Sequence, residues 1–127
     1  MQEKHLFEYA VIRLVPCVER EEFLNVGVVL YCEKQKFLQM RFKLNKARLR
    51  AFGCELDLHE IQDQLVGFER VCSGGAEAGT IGNLPMAARF RWLTAPRSTV
   101  VQTSPVHTGL TKDATATLSE LQEKLAN

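Results

Sequence analysis

The chain has 127 residues, of which 46% are hydrophobic and 24% charged, and its formal net charge is +1. This is the size and composition of one ordinary globular domain, and it excludes a mainly disordered chain. A charge so close to zero selects no nucleic-acid, membrane or acidic partner.

Charge is uneven along the chain. Arg41 to Arg50 holds five bases and no acid, whereas Glu55 to Glu77 holds six acids against Arg70 alone. The four cysteines, Cys17, Cys32, Cys54 and Cys72, form no C-x-x-C unit. The N-terminus lacks an apolar signal core, and no segment approaches the ~20 apolar residues of a membrane span. These features predict a cytoplasmic protein with free thiols, most of them buried as small hydrophobes.

The elements can be taken in chain order. His5 to Val15 predicts a first strand, which Pro16 ends because it cannot donate to a ladder. Glu19–Phe23 suits one helical turn. Leu24–Cys32 predicts a second strand, in which Gly27 permits a bulge or the close approach of another element. Neither run alternates cleanly between apolar and polar, so both read as inner strands covered on two faces. Glu33–Lys36 is a hairpin turn. Phe37–Leu44 alternates, with Leu38, Met40, Phe42 and Leu44 on one side and Gln39, Arg41 and Lys43 on the other, so one face meets the core and the other water.

Asn45 is placed to cap a short helix, Lys46–Phe52, ending at Gly53. Asp57 opens the longest helix, with Glu60 completing a capping box. Leu58, Ile61, Leu65, Phe68 and Cys72 recur on one face of it. Gly74 to Asn83 reads as a loop, a candidate mobile flap. Pro85 introduces a helix from Met86 to about Leu93, which stops before Pro96. Ser98–Thr103 predicts a strand, and Ser104 to Thr111 an irregular stretch around Pro105 and Gly109. Asp113 caps a C-terminal helix bearing Ala114, Leu118, Leu121 and Leu125 on one face. The expected architecture is α+β: residues 1–127 as a single compact domain, with a small antiparallel sheet of about four strands and three to four helices packed mainly on one face.

Two stretches could carry chemistry. The connection between the first two strands sets Arg13, Glu19, Arg20, Glu22 and Asn25 near the strand ends, where carboxylates beside arginines could bind or exchange protons. An exposed turn held by ion pairs accounts for the same residues. The stretch Arg97 to Thr108 offers Arg97, Gln102, hydroxyls and His107 to an anion; a strand followed by a polar loop whose hydroxyls cap neighbouring backbone accounts for the same residues. The candidate binding cluster is therefore Arg13, Arg20, Glu22, Asn25, Arg97 and His107, and an enzyme or phosphate-binding reading requires these residues to share one cleft.

Other signals are weaker. The glycine loop lacks the Lys-Ser/Thr of a phosphate-binding loop. The serines lie in no nucleophile elbow. The cysteines with His5, His59 and His107 show no zinc-like spacing. No catalytic residue, metal or cofactor is expected. Arg41, Lys43, Arg89 and Arg91 could track nucleic-acid phosphates, but no aromatic residue accompanies Arg41 and Lys43 on their strand face, and nucleic acid is not the expected partner.

Arg13, Pro16, Arg20, Glu22, Phe23, Asn25, Gly27 and Val28 form an ordered pattern that resembles a bacterial family catalogued as domain of unknown function 3037. Pro105-Val-His-Thr-Gly109 is also similar, and the resemblance runs from Tyr9 to the end. Cys17 departs from the pattern at a position where a polar residue is expected. The resemblance carries no established activity. It implies a small cytoplasmic accessory or regulatory module, toxin–antitoxin-like in setting, whose members are often encoded beside a HipA-like kinase. A protein partner is the leading expectation, a homo-oligomer is a further one, and no membrane association is expected.

Overall fold

The computed structural model describes residues 3–53 and 55–126. In chain order the elements are β1 (His5–Leu14), β2 (Leu24–Cys32), β3 (Phe37–Phe42), α1 (Lys46–Arg50), α2 (Leu58–Ser73), α3 (Met86–Thr94), β4 (Val101–Thr103), β5 (His107–Thr111) and α4 (Ala114–Ala126). The sheet is antiparallel throughout, with strand order β3-β2-β1-β4, and β5 pairs with β1 as well. The fold is α+β, and the first three strands form an antiparallel meander.

β4 and β5 share one edge of β1. Ile12 to Leu14 pairs with β4, and His5 to Tyr9 pairs with β5. Pro105 interrupts the run because it has no N–H to give a ladder. Ser104 bridges the gap: its backbone N–H donates to the Val11 carbonyl at 2.8 Å, and its hydroxyl accepts from the Val11 N–H at 2.9 Å. His107 to Thr111 is thus a strand where the sequence predicts irregular chain. Pro105 and Gly109 hide the strand signal, and the free edge of β1 supplies the ladder.

Alternation along β1 divides the core in two. Ala10, Ile12 and Leu14 join Val26, Val29, Leu38 and Met40 on one face, packed against Leu49 of α1, Ile61, Leu65 and Phe68 of α2, and Phe90 and Leu93 of α3. Phe7 joins Val28, Leu30, Cys32 and Phe37 on the other face, beneath Ala114, Leu118 and Ala126 of α4. Helices therefore cover both faces, three on one and one on the other. This is why β1 and β2 read as unbroken apolar runs.

The helix starts follow local chemistry. Asn45 Oδ1 accepts from the Arg48 N–H, Asp57 Oδ1 from the N–H groups of His59 and Glu60, and Asp113 Oδ1 from those of Thr115 and Ala116. Each cap satisfies backbone donors that the first turn leaves open. At the other end of α2, Arg89, only 8% exposed, donates to the carbonyls of Val71 at 2.8 Å and Cys72 at 2.6 Å, and its Nε to Leu84 at 3.1 Å. A guanidinium thus caps the negative end of α2. Arg89 is consequently unavailable to a nucleic-acid surface, and Arg91 lies on α3, across the sheet from α4.

Gly74 to Asn83 is not a free flap. Ala76–Asn83 forms helical turns broken at Gly79, the Gly75 N–H bonds to the Gly82 carbonyl at 2.9 Å, and Ala78 and Ile81 pack against the core. The expectation of free thiols holds for Cys32 and Cys72, both buried. It fails for Cys17, which is disulfide-bonded. Cys54 lies outside the described residues. No helix among the described residues is long and apolar enough to cross a membrane.

Candidate functional site at Arg13 and Phe23

The β1–β2 ladder slips by one residue near its end. Ile12 pairs with Gly27 and Arg13 with Asn25, which leaves Val26 as the extra residue of a bulge. Gly27 is required there, because a Cβ would overlap the Arg41 carbonyl oxygen and come within 2.9 Å of Phe42 Cβ. The slip turns Asn25 to the α4 face of the sheet, the face that Arg13 takes by alternation with Phe7 and Tyr9.

Asn25 is held from a distance. Its Nδ2 donates to the Leu125 carbonyl of α4 at 3.2 Å, and Gln122 Nε2 donates to the Val26 carbonyl at 3.2 Å. At the start of α4, Gln35 in the β2–β3 turn donates to the Lys112 carbonyl at 2.8 Å and accepts from the Ala114 N–H at 2.9 Å. Both ends of α4 are therefore tied by amide side chains to β2 or to the turn that follows it.

Arg13 is half-buried beside this junction. Its guanidinium carbon sits 3.9 Å from the centre of the Phe23 ring, a close cation–π stack. Its Nε is buried and without a hydrogen-bond partner, as is Asn25 Oδ1 on the facing strand. Arg13 makes no ion pair with any described residue. Phe23 is 46% exposed and Val18, on the same connection, 38%.

The other expected residues are dispersed. Arg20 and Glu22 pair at 2.7 Å with both side chains at least half exposed, a geometry worth little in water. His107 is exposed and stacks on Tyr9 at 5.4 Å between ring centres. Tyr9 is its ladder partner and lies four residues before Arg13, so about 13 Å separates the two positions along β1. Arg97 lies across the sheet, on the α3 side. It donates to the carbonyls of Leu93 at 2.8 Å and Trp92 at 2.7 Å, and stacks on Trp92 and Phe68. Burial lowers its pKa. Arg97 caps α3 as Arg89 caps α2, so Arg13, Asn25, Arg97 and His107 do not line a common cleft.

Two further places were open to chemistry. A cavity of about 430 Å³ between α3 and the β1–β2 end is bordered by Leu6, Glu8, Tyr31, Glu33 and Arg91. Burial, then Glu33 and Glu8, raise the Tyr31 pKa, against Arg91. Cys72 borders a second cavity, of about 390 Å³, beside β3. Burial pushes its thiol up to about 12, against Arg89, so it is no nucleophile near neutrality. Among the described residues no three of His, Cys, Asp and Glu are grouped to hold a metal ion.

Sequence reasoning placed Arg13 and Asn25 together correctly. It named Phe23 only in a predicted turn and a motif and Leu125 only on a helix face, and it missed Gln122; the two α4 residues lie about a hundred residues away and carry no local signal of a link to Asn25 or Val26.

Fold and site together describe a small α+β domain in which one sheet end offers an aromatic-stacked arginine to the surface. The chain belongs to the family described as "Protein of unknown function (DUF3037)", which matches residues 9–126. No curated protein and no solved structure matches it.

Proposed function

We propose that this protein is a small accessory or regulatory module that docks a protein partner and performs no catalysis of its own. The observation that carries this reading is Phe23. A phenylalanine 46% exposed is fixed against an arginine at 3.9 Å, on a connection with a second exposed apolar residue, Val18. Arginine and aromatic side chains are enriched in the few contacts that dominate protein interfaces. Such a pair, already ordered, loses little freedom on docking.

The resemblance to a family encoded beside HipA-like kinases makes such a kinase the first partner to test. The setting this implies is a bacterial cytoplasm; the Cys17 disulfide is the feature that fits it least well. The competing phosphate-binding or enzymatic cleft of Arg13, Glu22, Asn25, Arg97 and His107 is less well supported, since Arg97 is committed to α3 and Glu22 to Arg20.

The test is co-expression with a HipA-like kinase, capture through a tag on this chain, and size-exclusion chromatography of the eluate. A stoichiometric complex is expected, weakened roughly 30-fold by Phe23→Ser if Phe23 is a dominant contact. A chain that elutes alone at micromolar concentration sinks the reading.

A further inference from the structure

We propose that Arg13 anchors a carboxylate supplied by the partner, an Asp or Glu side chain flanked by apolar residues. The inference rests on the docking reading and names the chemistry of the contact.

Four observations support it. First, the guanidinium meets no counter-charge among the described residues: it makes no hydrogen bond or ion pair with any of them, and its Nε is sealed from solvent. A half-buried cation without an acceptor is costly, and its open Nη edge matches a carboxylate through two parallel hydrogen bonds. Second, the group is held in place. Phe23 stacks on it at 3.9 Å, and Asn25, its ladder partner, is locked to α4 through the Leu125 carbonyl.

Third, the surroundings favour a single negative charge over a phosphate. The connection from Val18 to Phe23 contains Glu19, Glu21 and Glu22 against Arg20 alone, and Arg20 is already paired with Glu22 at 2.7 Å. A dianion there meets a segment with three acids against one already paired base. Fourth, apolar side chains are exposed beside the guanidinium and on the same connection: Phe23 is 46% and Val18 38% exposed. A carboxylate carried between apolar side chains satisfies cation and flanks together. Asn25 acts as a positioning residue, because its Oδ1 faces the buried side of this junction and not the surface.

The Arg13 Nε–H signal in nitrogen–proton correlation spectra of the wild-type protein reads the contact directly. The probes are acetyl-Leu-Glu-Leu-amide, its Gln counterpart, and sodium acetate, titrated into the millimolar range at constant ionic strength. The expected result is a saturable shift with the Glu peptide and at least tenfold weaker binding of the Gln peptide and of acetate. Equal responses to the two peptides, or no response to either, overturn the inference. Acetate binding as tightly as the Glu peptide overturns the assignment to a partner's side chain. In the kinase capture, Arg13→Gln is expected to lose binding at least tenfold. Capture that survives Arg13→Gln but not Phe23→Ser overturns the carboxylate anchor and leaves the docking reading intact.

Discussion

Three arginines with similar local sequence credentials do different work, and what separates them is the acceptor each one meets. Arg89 and Arg97 donate to carbonyls at helix ends, whereas Arg13 meets a ring and, among the described residues, no acceptor. Removing Arg89 strips buried carbonyls of a charged donor, so Arg89→Met is expected to lower the stability measured by urea unfolding by about 3 kcal/mol. Arg13→Met removes an unpaired cation and is expected to change stability by less than about 0.5 kcal/mol or to raise it. Equal losses in the two variants would contradict this division.

Cys72 gives a pH prediction at the same scale. Its thiol rises from 9.0 to about 12 because burial disfavours the thiolate. Between those values the unfolded chain releases a proton that the folded chain keeps. The stabilisation is therefore complete below pH 9 and is lost as pH climbs towards 12. Tyr31, raised chiefly by burial, acts in the same direction. Urea midpoints should fall above pH 9, and the fall should be shallower in Cys72→Ala.

At the scale of elements, the bulge in β2 and the tethers of α4 build the site. Gly27 lets β3 approach closely where β2 slips. Gly27→Ala forces backbone apart and is expected to cost about 1–3 kcal/mol. It should also weaken partner capture, since the slip is what turns Asn25 towards α4. Cross-peak changes confined to β3, with Asn25 unmoved, would show that the bulge does not depend on the glycine.

For the whole molecule, burial separates leucines that look alike in sequence. Leu118 is buried on α4 under the second half of the core, whereas Leu6 and Leu110 are ladder partners at 60% and 64% exposure. Leu118→Ala is expected to cost about 2–5 kcal/mol, and Leu110→Ser within about 0.5 kcal/mol. Thermal unfolding of the two variants side by side checks this. The contrast depends on α4 reaching back across β2, to which it is fastened by Gln35, Asn25 and Gln122.

The sequence by itself determined the local elements: the three side-chain caps at Asn45, Asp57 and Asp113, the helical faces, the first three strands, the special role of Gly27 and the adjacency of Arg13 and Asn25. Each depends on residues a few positions apart, on one strand's period, or on two strands joined by one short connection, so the information is local. Tertiary structure alone decided the rest. It made a strand of His107–Thr111 by offering a free edge, drew Arg89 and Arg97 away to helix ends, and pinned the glycine loop. It set α4 on the far face of the sheet and left Arg13 on Phe23 without a counter-charge among the described residues. Those outcomes turn on which acceptor or ladder edge lies within hydrogen-bond reach once the chain is folded, and no spacing along the chain encodes that distance.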